Sequence, residues 1–427
     1  MENINVTSHK LGDIHLHLWK TDKFKTVSII LMMKASLSVD TVTARALIPE
    51  ILKGGTKDYP SWMMIKRKLD NMYGAVLETD VQKKGEQHVI TFRMDVAAER
   101  CLPKQVQLFQ EALALLYKIV TEPRQENGIF IKEVVEQEKR VLKQKIQSVS
   151  DNKVAYAVER MIEEMFDQEL YRLPAYGRVE DLDVLEPEDI YDVYKQMLAH
   201  DRMDLFIIGS FDETQAKEEV VSLFGAKRQV RELQIASTTS KAVIEEKVVC
   251  DKKNMKQGQL HLGYRTYTTF VDNDCEAMRV ADCIFGGSPL SKLFINVRQK
   301  ESLAYYVGSI LERHKGVLMV MAGIEFDKYD QVVYIIKEQV AAMKRGDFTE
   351  QDIEQAKGVL LNQLWQSVDT ALGFVDLFCS DMSVNGHISL LDCAETIKNV
   401  TKEDIVRAAN KWELDTIYFL TREGEEK

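Results

Sequence analysis

The chain has 427 residues, too many for one hydrophobic core and enough for two or three domains. Its 45% hydrophobic and 29% charged composition is that of a globular protein and excludes wholesale disorder. The 56 basic and 67 acidic residues give a net charge of −11, which argues against nucleic-acid binding, and no apolar run reaches the ~18 residues of a membrane helix.

The N-terminal Met-Glu-Asn-Ile-Asn-Val shows no basic region followed by an apolar core, so no secretory signal is expected. His15 and His17 alternate and share one face of a strand. With no third ligand nearby, the pair reads as an exposed edge strand rather than a metal site. Short β-rich runs at Val27–Met33, Val89–Met94, Leu205–Ile208, Gln259–Tyr264, Val317–Ala322 and Thr416–Leu420 predict strands. Three stretches rich in Glu, Lys, Leu, Ala and Gln, with apolar residues at three- and four-residue spacing, predict helices over Pro103–Val120, Phe130–Met165 and Tyr329–Met343. Strands and helices mix without a strict βαβ alternation, which predicts an α+β fold. The cysteines Cys101, Cys250, Cys275, Cys283, Cys379 and Cys393 form no Cys-x-x-Cys pair and read as reduced, mostly buried thiols of a cytoplasmic protein. His9, His88, His200, His261, His314 and His387 are isolated, and no Gly-x-Ser-x-Gly or phosphate-binding glycine motif is present.

An internal repeat organises the chain. Gly54-Gly55-Thr56 and Gly286-Gly287-Ser288 lie 232 residues apart, as do Tyr73 and Tyr305. Each glycine pair closes an apolar helix-like run. Each tyrosine precedes a strand, a charged turn (Lys83-Lys84-Gly85; Arg313-His314-Lys315-Gly316) and a second strand. Glu136-Gln137 and Glu354-Gln355 repeat at an offset of 218, and Glu188-Asp189-Ile190 and Glu403-Asp404-Ile405 at 215. Four matches in one order, with shrinking offsets, predict duplicated halves: residues 1–226, a polar linker 227–241 containing Ser237-Thr238-Thr239-Ser240, and residues 242–427. The tail Glu423–Lys427 is expected to fray.

Two halves with these motifs resemble the insulinase/pitrilysin family of inverted zinc peptidases over nearly the whole chain. The resemblance implies two homologous halves, each a mainly antiparallel sheet packed with helices, arranged as a clam-shell. In that family a first-half helix carries His-x-x-Glu-His shortly before a Gly-Thr. Both histidines and a glutamate from a later helix bind zinc, and the glutamate between the histidines is the general base. Aligned on Gly55-Thr56, the first histidine falls on Ala46, the base on Pro49, the second histidine on Glu50 and the later ligand on Lys145. A methyl group, a proline ring and an ammonium cannot serve these roles, so no zinc is expected in this chain. Pro49 also predicts a helix kinked there or starting there.

The second half keeps what the first has lost. Gly286-Gly287-Ser288-Pro289-Leu290-Ser291-Lys292-Leu293-Phe294 leads into Val297-Arg298 and Leu303-Ala304-Tyr305-Tyr306. This resembles the family's glycine loop and Arg/Tyr segment, whose arginine and tyrosine hold substrate backbone and help stabilise the oxyanion. The chemistry fits, because a guanidinium is a fixed fork of charged donors and a phenol is a short, directional one. The plainer alternative pairs Arg298 with Glu301 and places Tyr305 in the core. Tyr306 is the runner-up tyrosine. Tyr73-Gly74-Ala75-Val76-Leu77-Glu78-Thr79 resembles a family strand whose edge takes the substrate as an added strand, and reads equally as an ordinary sheet edge.

The resemblance therefore implies a subunit without activity alone. Its partner would be a zinc-bearing insulinase-like chain, the zinc would sit in that partner, and the substrate would be a short unfolded peptide, such as the leader of a ribosomally made natural product. Arg298, Tyr305, Tyr306, Gly286, Gly287, Leu77 and Glu78 would contact substrate. The alternatives are a peptide-binding scaffold with no part in chemistry and a lone peptidase with an unrecognised site.

Overall fold

The computed structural model describes residues 4, 6–103, 106–233, 243, 245–385 and 390–422. Residues 234–241 of the expected linker and the expected frayed tail 423–427 lie outside them. The chain forms two compact units, one of residues 2–148 and 173–234, the other of residues 149–172 and 235–427.

In the first unit, β1 (Val6–Leu11), β2 (Ile14–Lys20) and β3 (Thr26–Ser36) precede α1 (Val42–Lys53) and α2 (Trp62–Asn71). β4 (Val76–Lys84), β5 (Gln87–Ala97), α3 (Leu108–Thr121), a small hairpin β6 (Gln125–Glu126) and β7 (Ile129–Phe130), and α4 (Lys132–Asp151) follow. After α5 (Lys153–Met165), which belongs to the other unit, the chain returns through α6 (Val179–Val184), α7 (Pro187–His200), β8 (Arg202–Gly209) and α8 (Glu213–Phe224). The sheet order is β1-β2-β8-β3-β5-β4, with only β2 and β8 parallel. β3 is central, which explains the unbroken Val-Ser-Ile-Ile-Leu-Met-Met run, buried on both faces. Ile29, Leu31 and Met33 face Leu47, Ile51, Leu113 and Leu116 of the helices in one core.

The second unit contains β9 (Lys247–Lys252), β10 (Gly258–Arg265), α9 (Cys275–Asp282), β11 (Ala304–Glu312) and β12 (Val317–Ile324). α10 (Tyr329–Arg345), α11 (Glu350–Ser367), α12 (Ala371–Asn385), α13 (Leu390–Asn399), α14 (Lys402–Asn410) and β13 (Glu413–Thr421) complete it. Its order, β11-β12-β10-β13-β9, with only β13 and β9 parallel, repeats β4-β5-β3-β8-β2 of the first sheet. The duplication read from sequence offsets is thus a duplication of sheet topology, and the fold is α+β in two homologous halves.

The six predicted strands all lie within observed strands, the helix predicted over Tyr329–Met343 is α10, and the one predicted over Pro103–Val120 is α3, which starts only at Leu108. The single helix expected over Phe130–Met165 is two: Asn152 interrupts it, its side chain accepting from the amides of Val154 and Ala155 at 3.2 Å to cap α5. Past that break, α5 packs Ala157, Met161, Ile162 and Met165 against Val317, Met319, Tyr418 and Leu420 of the second sheet. The compact units therefore do not follow the repeat: Val149–Arg172, within the expected half 1–226, packs with the second sheet. The histidine strand also differs from expectation. β2 lies between β1 and β8 rather than at the edge. His17 is buried, 3.3 Å from Asp204 and stacked on Phe206. The thiols are free, but only Cys275 and Cys283 are buried, while Cys101 and Cys250 are exposed.

Candidate functional site

The degenerate metal positions lie in the first unit. α1 runs through Pro49 without starting there, and Ala46 and Pro49 are both buried in it. Pro49 has no N–H to give, so the turn before it lacks one helical hydrogen bond. Glu50 already has partners: Oε1 accepts from Thr79 Oγ1 at 2.7 Å, and Oε2 lies 2.7 Å from Lys53 Nζ. The Lys145 ammonium sits 3.9 Å from the centre of the Tyr176 ring, a cation–π contact. Glu138, about two turns earlier on the same face of α4, has its carboxyl pushed upward by burial and then by the charge of Glu50. A catalytic zinc needs three protein ligands, and these four positions offer one carboxylate. Among the described residues no cluster of three or more His, Cys, Asp or Glu is placed to hold a metal ion. The residues present do not fit zinc.

Leu77 and Glu78 sit on β4, the outer strand of the first sheet. Leu77 is turned into the core, while Glu78 is exposed and bonded to Arg93 at 3.0 Å.

The glycine loop and the Arg/Tyr segment lie in the second unit. Cys283–Gly287 and Phe294–Lys300 are both wound as π-helix, a wide turn that recurs at functional sites. The glycines are demanded by space. A Cβ on Gly286 would lie 2.4 Å from Ser309 Oγ of β11, and one on Gly287 would lie 2.9 Å from Asp282 Oδ2. Ser309 donates to Asp282, so a strand hydroxyl and a helix carboxylate lock the glycine turn onto β11. The Asp282 carboxyl, enclosed there, is pushed up to about 6 by burial. Sequence reading missed this pair; its one local signal is an aspartate within the apolar run Ala281-Asp282-Cys283-Ile284-Phe285.

Arg298 lies exposed on the second π-turn, its guanidinium 5.2 Å from the Phe294 ring. Among the described residues it makes no ion pair, so the expected alternative pairing with Glu301 does not form. Ser302, at φ 53, turns the chain into β11. Tyr305 then projects at 60% exposure, its hydroxyl 3.5 Å from Glu325 Oε1. Tyr306 points the other way. Its hydroxyl donates to Gln259 Oε1, burial pushes its phenol up to about 12, and its ring covers Gly323, where a Cβ would meet it at 2.4 Å. The two tyrosines are thus separated by the strand's alternation: Tyr305 is exposed, with only a long contact to Glu325, and Tyr306 is committed inward. The arrangement offers one guanidinium and one phenol to an anionic or carbonyl oxygen.

The profile of the peptidase M16 inactive domain matches residues 185–360, from α7 into α11. Over 420 residues, 98% of each chain, the sequence is 42% identical to the Bacillus subtilis (strain 168) protein named probable inactive metalloprotease YmfF. It is 23% identical over 299 residues, 70% of this chain and 69% of the relative, to YmxG, an uncharacterized zinc protease of the same strain. The crystal structure of a conserved protein from Enterococcus faecalis V583 superposes with a TM-score of 0.91 at 29% identity, covering 99% of this chain and 100% of that one. A full-length relative at 42% identity places this chain in the M16 family of insulinase/pitrilysin-type peptidases, among its zinc-lacking members.

Proposed function

We propose that this chain is the zinc-lacking subunit of a heterodimeric, cytoplasmic metallopeptidase that cleaves short unfolded peptides, leader segments of ribosomally made natural products among them. One observation carries the reading: the metal positions are filled by Ala46, Pro49, Glu50 and Lys145, yet the glycine turn is kept and Arg298 and Tyr305 stand exposed beside it. An exposed guanidinium without an ion pair among the described residues, and a phenol held only by a 3.5 Å contact to Glu325, are donors that a substrate can recruit. That one Bacillus strain holds both a probable inactive relative and a zinc-protease relative of this chain supports a division of labour between two subunits.

In this reading the metal chemistry belongs to the partner. This chain supplies donors: Arg298 grips a substrate carbonyl, and Tyr305, released from Glu325, donates to the oxygen that becomes negative in the transition state. Gly286 and Gly287 support the site by letting the turn pack against Ser309 and Asp282, and β4 offers an edge at Leu77 and Glu78 for an added strand.

Co-purified with the zinc-bearing subunit, Arg298→Ala is expected to lower kcat/KM about 100-fold, the order found when one oxyanion donor is removed, without dissociating the pair. Tyr305→Phe is expected to act mainly on kcat. Unchanged kcat/KM with retained peptide affinity in Arg298→Ala would instead favour the scaffold alternative.

A further inference from the structure

On the side of the second π-turn that faces α10 and α11, the second unit contains a pocket of about 500 Å³, within the range of small-molecule sites. Leu290 and Ile295 form part of an apolar wall, and Lys292, Lys300 and Asn296 reach it from the loop and the π-turn. Among the described residues neither lysine has an ion pair. Lys292 Nζ donates to the Asp347 carbonyl at 2.6 Å, and Lys300 Nζ donates to Asn296 Oδ1 at 3.0 Å. The one carboxylate in the lining, Asp352, is occupied by its own helix: its Oδ2 accepts from the Thr349 amide and hydroxyl, both at 2.8 Å, in the cap of α11. Lys292 is half-buried, and burial draws its ammonium below the usual range.

Lys292 and Lys300 against the single Asp352 carboxylate leave the lining with one net positive charge, at the mouth of a cavity with partly apolar walls, which suits an anion on an apolar body. The Gln355 side-chain amide in the same lining suits a ligand with an amide next to its charge, since the Asn296 amide is already bonded to the Lys292 carbonyl, Gln339 and Lys300. We infer that this pocket binds a small carboxylate bearing a neighbouring amide and an apolar group, the chemistry of an acylated amino acid or of a peptide's C-terminal residue. The inference stands apart from the pairing proposed above, since it needs only this chain.

The test uses the full chain with hippurate (N-benzoylglycine) as the probe, hippuramide as its uncharged counterpart and phenyl phosphate as a rival anion, each titrated by calorimetry. Hippurate is expected to saturate, with hippuramide at least about tenfold weaker, because the charged contact is lost. Lys292→Gln with Lys300→Gln should weaken hippurate to the level of hippuramide and leave hippuramide unchanged. The hippuramide comparison needs no variant, so a misfolded double variant does not spoil the test. No saturation below about 10 mM, or equal binding of hippurate and hippuramide, would overturn the site. Phenyl phosphate binding tenfold tighter than hippurate would overturn the carboxylate assignment.

Discussion

His261 lies in the middle of β10 with no exposure, and neither ring nitrogen has a hydrogen-bond partner. His88 is equally buried, but bonded: Arg45 Nε donates to Nδ1 at 3.3 Å, and Nε2 lies 2.9 Å from the Ala175 carbonyl, so the proton belongs on Nε2. Burial pushes both imidazoles down to about 3 from 6.5, with the Arg45 charge adding to the shift at His88. Both rings are therefore neutral when folded. As pH falls below 6.5, only the unfolded chain takes up the protons. Stability is fully present above 6.5 and declines through the window down to about 3, by at most ~1.4 kcal/mol per histidine per pH unit. His261→Leu removes one of these protons and an unsatisfied ring. It should raise Tm more at pH 5.5 than at pH 7.5, as followed by circular dichroism; an equal effect at both pH values would refute the linkage. Metal binding is also testable at this scale. The wild-type chain, untagged, should carry almost no zinc by mass spectrometry. A46H/P49E/E50H/K145E should recover about one zinc per chain, because it restores two imidazoles one helical turn apart and the later carboxylate.

Among the elements, α5 is held by charge as well as by apolar packing. Arg160 pairs with Glu163 and Glu164 of its own helix and with Asp251 of β9. At the other end Arg265, 4% exposed, lies 2.5 Å from Asp415 and 3.4 Å from Glu169 and donates to the Met165 carbonyl at 2.8 Å. Arg265→Gln should therefore cost about 2–3 kcal/mol, since it leaves the half-buried Asp415 without its cation and the Met165 carbonyl without its donor while Glu169 keeps Lys315, and should lower the urea midpoint of the unit containing β10. A change below 1 kcal/mol would show that apolar packing alone holds the segment. The central strands were legible because burial on both faces makes them continuous apolar runs, as in β3 and β12. β1 and β9 were not, because polar residues interrupt them on their less buried side, and β2 showed only as the alternating His15 and His17. The site divides in the same way. Gly286, Gly287, Arg298 and Tyr305 stand close together in sequence, so their spacing could be read. The contacts of Glu50 with Thr79, Lys145 with Tyr176 and Asp282 with Ser309 join residues 27 or more apart. No local pattern announces them, because tertiary folding alone makes these neighbours.

For the whole molecule, the repeat and the compact units divide the chain differently. Each half rebuilds the same five-strand order with one parallel pair, yet the second sheet is covered on one face by residues from the first repeat. A fragment of residues 242–427 lacks α5 and would expose Val317, Met319, Tyr418 and Leu420, so it is expected to be insoluble. Adding a peptide of residues 149–172 during refolding should restore solubility and protect β10 and β13 in hydrogen exchange. A soluble, cooperatively folding 242–427 fragment would contradict this. Synthesis gives the same arrangement a cost in time. α5 ends at Met165 and β13 ends at Thr421, so roughly 250 residues must still be made before its docking face is complete. At roughly 5–20 residues per second the wait is about 10–50 s. Throughout it, the apolar stripe of Ala157, Met161, Ile162 and Met165 waits on the ribosome without its sheet, a ready target for a holdase chaperone.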